Sequence, residues 1–289
     1  MICEILSVGT ELLMGQVANT DAQYISRRLS ELGVVVYHHT TVGDNPARVL
    51  EALKTALSRS DMVITTGGLG PTEDDLTKEM VAQHFGLKME LHQPSLDALV
   101  ERMKRIHPDR PLTENNLKQA YFPVGAIVMP NRRGTAPGCI IEADGKVVAV
   151  LPGPPRELTD MFEQQLEPYI LKRQEMSLAS RFFRIFGVGE SNVENILLDL
   201  FHSQNPTLAL YCGAGEVTAR LTASGAPGED LSHLLDPVEK EIRARLGDAI
   251  YAEGRDKTLE GEVLKLLIER GDTIATAEYG ADLTAAVAS

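Results

Sequence analysis

Apolar residues along this chain fall into two alternating patterns. Short continuous runs (Cys3 to Val8, Val34 to Val42, Met62 to Ile64) are separated by stretches in which apolar positions recur every three or four residues. Continuous β-branched runs predict buried strands, and the three-to-four spacing predicts amphipathic helices. The first helix runs from an Asn19 or Thr20 cap to Leu32, with Ile25, Leu29 and Leu32 inward and Gly33 closing it. The second follows Gly43-Asp44-Asn45-Pro46 and carries Val49, Leu50, Leu53 and Leu57. A third places Met80, Val81, His84 and Phe85 on one face before Gly86. Strands alternating with such helices imply an α/β fold in three layers, a parallel sheet covered by helices.

Further along, a helix is predicted over 94–106 and a loop over 107–111. A short helix over 113–120 presents Asn116 and Lys118, and a strand covers 126–129. Cys139 to Glu142 and Lys146 to Leu151 form a hairpin about Ala143-Asp144-Gly145, and Pro152-Gly153-Pro154-Pro155 stiffens the entry to a helix over 157–171. A domain boundary is expected near residue 172. Residues 173–253 then read as a small α+β unit with strands over 181–186, 207–211, 217–223 and 249–251, a helix that Ser191 caps, and a helix over 231–246. A tail, 254–289, carries a helix with Leu259, Val263, Leu266 and Leu267, a strand over 273–276 and a helix over 281–288, too little to bury a core of its own.

The chemistry concentrates in Thr65-Thr66-Gly67-Gly68-Leu69-Gly70-Pro71-Thr72-Glu73-Asp74-Asp75-Leu76-Thr77. A glycine-rich turn between a strand and a helix offers unpaired N–H groups and the positive end of a helix dipole to an anion. Thr72-x-x-Asp75 has the capping-box pattern and is expected to start the helix. Three adjacent acids repel bare phosphate, and a divalent cation between them and a substrate phosphate reconciles the two. The competing reading is a capped helix whose acids complement the dipole. In parallel sheets ligands bind beyond the carboxyl ends of the strands, where Gly9-Thr10-Glu11, Gly43-Asp44-Asn45 and Gly67 to Asp75 converge. Asp44 and Asp75 thus reach one rim from separate loops; alone, Asp44-Asn45 is a common turn pair. Gly68-Leu69-Gly70 is not a dinucleotide fingerprint, since Glu73 stands at its third glycine, and no P-loop is present.

At 289 residues, 43% hydrophobic and 24% charged, the chain suits two globular domains. A net charge of −13 argues against nucleic acid and anionic lipid as partners. Cys3, Cys139 and Cys212 are an odd number at wide spacing with no C-x-x-C, which argues for reduced thiols in a cytoplasmic setting and against a zinc site. No apolar run spans a bilayer.

These residues resemble the competence/damage-inducible CinA family, whose N-terminal part has the molybdopterin-binding-like, MoaB/MogA-type fold. The matching pieces occur in order: Gly9-Thr10-Glu11-Leu12-Leu13 with Gly15-Gln16 and Asn19-Thr20; Val42-Gly43-Asp44-Asn45; Gly67 to Thr72 with Asp74-Asp75-Leu76-Thr77; Asn116 with Lys118-Gln119-Ala120; Gly134-Thr135-Ala136-Pro137-Gly138; and Leu151-Pro152-Gly153-Pro154-Pro155. The resemblance implies a metal-dependent pyrophosphatase acting on ADP-ribose to give AMP and ribose 5-phosphate. Asp44 and Asp75 would hold a divalent metal (Mg, Mn or Co), with a monovalent cation as a further cofactor, and would activate water. Gly67, Gly68, Gly70 and Thr72 would serve the phosphates, Lys118 would neutralise developing charge, and Glu11, Asn19, Asp74, Asn116, Gly134 and Thr135 would complete the substrate site. The partner implied is a small-molecule nucleotide, in a homodimer. A non-catalytic nucleotide- or molybdopterin-binding module and a molybdopterin nucleotidyl transferase are the alternatives. Two departures stand out. Leu117 replaces the family's common arginine, and Ala277-Glu278 is followed by Tyr279-Gly280-Ala281-Asp282 where relatives carry a serine nucleophile. Nicotinamide mononucleotide deamidase activity is therefore expected to be absent, the tail being the short start of that domain.

Overall fold

The computed structural model describes residues 1–106, 113–173, 176–213 and 215–273. The chain divides into two compact units, Met1–Gln174 and Glu175–Ser289. The expected loop at 107–111 and everything expected from residue 274 onward, Glu278 and Tyr279 included, lie outside the described residues.

The first unit runs β1 (Ile2–Val8), α1 (Thr10–Leu13), α2 (Thr20–Glu31), β2 (Val35–Val42), α3 (Pro46–Arg59), β3 (Met62–Thr66), α4 (Thr77–Phe85), β4 (Met89–Leu91), α5 (Gln93–Ile106), α6 (Glu114–Leu117), β5 (Tyr121–Pro123), β6 (Ile127–Met129), β7 (Gly138–Ala143), β8 (Lys146–Leu151), α7 (Pro155–Met161) and α8 (Glu167–Leu171). Six strands form one sheet in the order β2-β1-β3-β8-β7-β6. The first four are parallel, and the β7/β8 hairpin adds β7 and β6 antiparallel. Period-2 alternation feeds two cores from one strand. Ile5, Met62 and Ile64 pack with Ile25, Leu29, Phe162 and Leu166 on one face, while Leu6, Val63 and Val148 pack with Val49, Leu53, Leu57 and Val81 on the other. The result is the helix–sheet–helix sandwich that the alternating pattern implied.

Local chemistry sets the helix starts. The Asn19 side chain accepts from the Ala22 N–H at 3.1 Å, and Asn45 accepts from the Arg48 N–H at 3.2 Å with Pro46 at the first helical position. Gly86, at φ 66°, ends α4. The Thr72–Asp75 box behaves differently from its reading. Asp75 Oδ2 accepts the Thr72 N–H at 3.0 Å, but the pair closes a separate turn, and α4 begins two residues later with Leu76 as its uncapped N-cap. The reason is that Thr77 is already engaged: its N–H donates to the Gly68 carbonyl (3.2 Å) and its hydroxyl to that of Gly67 (2.9 Å). The loop folds back onto the helix start. β4 and β5 pair as a small two-stranded sheet that no alternation announced.

Among the described residues two charged side chains are buried. Glu4, on β1, is held by Arg59 of α3 at 2.8 Å and by Thr40 of β2 at 2.7 Å, tying the edge strand and a helix to the sheet. Lys78, in the first turn of α4, is 3% exposed, donates to the Gln119 carbonyl at 2.9 Å and lies 4.3 Å from the centre of the Phe122 ring. Burial lowers its pKa to about 8. Below pH 8 the folded and unfolded chains both carry this proton, and the folded state bears the full cost of burying it. Between about 8 and the unfolded value near 10.4 only the unfolded chain holds it, so stability rises with pH. Urea unfolding at pH 7.5 and pH 10 is expected to show the wild type gaining on Lys78→Met by up to about 3 kcal/mol. Parallel profiles for the two proteins would contradict the burial.

The second unit holds β9 (Ser177–Phe186), α9 (Glu190–Ile196), β10 (Thr207–Cys212), β11 (Glu216–Gly225), α10 (Ser232–Leu246), β12 (Ile250–Glu253) and α11 (Leu259–Arg270). Its antiparallel sheet, β10-β11-β9-β12, packs Phe183, Ile185, Ala219 and Leu221 against Val193 and Ile242. Ser191 does not cap α9. Gly189 is the N-cap, because the helix starts two residues earlier than a Ser191 cap would place it, at Glu190. No helix among the described residues is long and apolar enough to cross a membrane.

Candidate active site

The parallel strands β1, β2, β3 and β8 all end at one rim, and the residues that follow each of them line a cleft of about 810 Å³. Gly9 and Glu11 follow β1, Asp44 follows β2, Gly67 to Asp75 follow β3, and Pro152 to Pro155 follow β8.

The floor is backbone. Gly67 has φ 90°, and a Cβ there would lie 2.2 Å from the Val8 carbonyl oxygen; its N–H donates to the Leu151 carbonyl at 3.1 Å. A Cβ on Gly153 would lie 3.5 Å from the Gly67 Cα, so the β3 and β8 loops touch main chain to main chain. The left-handed φ of Gly67 and its approach to the Val8 carbonyl are open only to glycine.

Carboxylates stand above this floor. Asp44 Oδ2 accepts the Thr10 N–H at 2.8 Å, and the Asp44 N–H donates to the Thr10 hydroxyl at 3.3 Å. Asp75 Oδ2 takes the N–H and hydroxyl of Thr72. Each aspartate keeps an Oδ1 without a hydrogen-bond partner among the described residues. The Asp75 carboxylate occupies the space that a Cβ on Gly70 would fill, and that of Glu11 does the same over Gly9. Asp74 lines the same cleft. Two hard oxygen donors with a free lone pair each suit Mg²⁺ or Mn²⁺, ions that complete their shells with substrate phosphate and water rather than with a protein cage. Among the described residues no group of three His, Cys, Asp or Glu that could hold a metal ion occurs.

The other expected site residues divide. Asn19 and Thr135 line the cleft, although the Asn19 side chain is engaged in capping α2 and in a 2.9 Å bond to the Ser7 hydroxyl. Thr72 and Lys118 are not among the lining residues but neighbour Asp74, which is, and Lys118 Nζ donates to the Thr72 carbonyl at 3.0 Å. Asn116 caps its own helix, α6, through a capping box with Thr113. Gly134 lies under the Glu157 carboxylate, where a Cβ would fall 2.0 Å from Oε2, and Asn131 holds that loop through Glu157 (2.7 Å) and the Ala136 carbonyl (2.8 Å).

Three lining residues escaped the sequence reading because tertiary contacts deliver them. Glu157 comes from α7. Gln119, 3% exposed, donates to the Leu69 carbonyl at 3.5 Å and keeps its Oε1 unpartnered. Asp21, in the first turn of α2, has its pKa raised to about 6 by burial. A carboxyl raised in this way favours folding while protonated, so its contribution fades as pH rises from about 4 through 6. Thermal unfolding between pH 4 and pH 7 is expected to show Asp21→Asn gaining stability relative to wild type across that interval. A constant gap would remove Asp21 from the desolvated wall.

Comparison with known proteins bears on this site. Residues 4–172 match the family described as probable molybdopterin binding domain, and residues 180–252 match the one described as damage-inducible protein CinA KH domain. A putative competence-damage inducible protein of Clostridium novyi (strain NT) is 54% identical over 279 residues, 96% of this chain and 67% of that protein. A CinA-like protein of Dictyoglomus turgidum is 52% identical over the same shares. The chain therefore spans about two thirds of the length of these relatives. The crystal structure of CinA from Thermoplasma acidophilum, described as of unknown function, superposes with a TM-score of 0.54 at 34% identity, over 58% of this chain and 97% of that one.

Proposed function

Since the chain belongs to the CinA family, with a molybdopterin-binding-like domain ahead of a KH domain, we propose that it is a divalent-metal-dependent hydrolase of nucleoside diphosphate sugars, cleaving ADP-ribose to AMP and ribose 5-phosphate. The observation that carries this reading is that two half-satisfied aspartates, Asp44 and Asp75, line one cleft together with the glycine backbone over 67–70.

Asp44 and Asp75 would hold the cation through their free oxygens. Bound there, a divalent ion supplies charge neutralisation at the phosphoryl oxygens and a more acidic water. The remaining work belongs to the chain. Thr10 and Thr72 fix the two carboxylates, so their geometry exists before substrate arrives. The main chain over 67–70 lets a diphosphate approach without a side chain in the way. Lys118 acts as a positioning residue, gripping the turn that bears Asp75 through the Thr72 carbonyl.

Incubating the protein with ADP-ribose and Mg²⁺, Mn²⁺ or Co²⁺ is expected to release AMP; no release with any of the three rejects the reading. The match to a probable molybdopterin binding domain favours a second reading, nucleotidyl transfer. Adenylylated molybdopterin formed from ATP, with ADP-ribose left intact, would put transfer in the place of hydrolysis.

A further inference from the structure

The loop over 131–137 has two sides. Thr135 and Ala136 wall the cleft just described, while Thr135 also belongs to a second cleft of about 620 Å³ that α5 closes on its far side. Thr135 is a lining residue that the two clefts share.

The second cleft carries the opposite charge. Arg102, Arg105 and Arg132 line it against a single acid, Glu101, in a chain whose net charge is −13. Two of the arginines are committed. Arg102 donates to the Arg132 carbonyl at 3.2 Å and to that of Arg133, which fixes the loop, and Arg105 pairs with Glu101 at 2.5 Å. The Arg132 guanidinium has no hydrogen-bond or ion-pair partner among the described residues. Asn131 holds its loop in place by accepting the Arg133 N–H at 2.9 Å and donating to the Ala136 carbonyl. Around the charges, Pro94, Leu99 and Pro130 give rigid apolar walls of the kind that suit the C–H face of a small ring. A free guanidinium fork on a braced loop is chemistry for a phosphate monoester.

We propose that this second cleft is a sugar-phosphate subsite. It takes the ribose 5-phosphate-like half of a diphosphate whose nucleotide half lies over Gly67 to Gly70, with Thr135 at the junction. The proposal rests on the hydrolase reading for its substrate, and its test does not require turnover.

Calorimetry with ribose 5-phosphate on the full chain is expected to show binding that Arg132→Glu weakens about tenfold or more and Arg132→Gln weakens less. AMP affinity is expected to be unchanged in both variants. Arg132 is exposed, and unchanged melting temperatures verify that folding is intact. Absence of ribose 5-phosphate binding to the wild type, or equal affinity in Arg132→Glu, overturns the subsite. The two readings fail separately. A protein without ADP-ribose turnover that still binds ribose 5-phosphate through Arg132 loses the hydrolase and keeps the subsite. Turnover with an unchanged KM in Arg132→Glu keeps the hydrolase and loses the subsite.

Discussion

Asp75→Ala is expected to lower ADP-ribose turnover about 10³-fold, equivalent to about 4 kcal/mol of transition-state stabilisation. Two functions meet in this carboxylate. One oxygen closes the turn on Thr72, and the other faces the cleft as half of the aspartate pair. Alanine removes both, so its effect alone does not separate chemistry from loop structure. Asp75→Asn does: an amide oxygen still accepts from Thr72, while the charge that would hold a cation is gone. The asparagine variant is expected to melt like the wild type and to lose nearly as much turnover as alanine, measured as AMP released at saturating metal. Asparagine with wild-type turnover would strip the carboxylate of its chemical role and leave it as a turn former.

Gly67→Ala is expected to cost about 3 kcal/mol of stability. A left-handed backbone conformation in an alanine accounts for about 1–2 kcal/mol, and overpacking for a further 1–3 kcal/mol. The crowding is severe because the atom met, 2.2 Å from the new Cβ, is the Val8 carbonyl oxygen at the end of the central strand β1, which cannot rotate away. For a unit of this size that corresponds to a drop of about 10 °C in Tm. Gly68→Ala offers an internal comparison. Its φ is 66° and its Cβ would lie 2.1 Å from the Thr77 hydroxyl, which belongs to a side chain. Adding Thr77→Ala should recover part of the loss at Gly68, whereas at Gly67 no side-chain truncation relieves the clash. Equal tolerance of alanine at both glycines would show that the loop does not press on β1.

What could be read along the chain was whatever neighbours in sequence decide. Asn19 and Asn45 cap the helices they precede, Gly86 ends α4, and Ala143-Asp144-Gly145 turns the β7/β8 hairpin, because each acts within three or four residues of itself. Convergence of the acidic loops on one rim followed from parallel connectivity alone. What the local pattern does not carry shares a cause. Thr72–Asp75 has the helix-start pattern, yet the Gly67 and Gly68 carbonyls claim Thr77 and move the start onward. Lys78 is not singled out by the pattern of its segment and is buried against Phe122, a residue 44 positions away. Lys118, expected to neutralise phosphate charge, donates to the Thr72 carbonyl, a bond the local pattern does not announce. In each case a distant backbone oxygen or ring, absent from the local pattern, decides where the side chain goes.

The contact between Gly67 and Gly153 bears on how such a protein changes its substrate. At Gly67 the floor has nothing to exchange by point mutation, since even one methyl group there collides with the Val8 carbonyl of the neighbouring strand, whereas a Cβ on Gly153 would meet Gly67 at ordinary contact distance. Variation in ligand choice is therefore expected at side chains that line the cleft, such as Asp21, Thr135 and Glu157, rather than at Gly67.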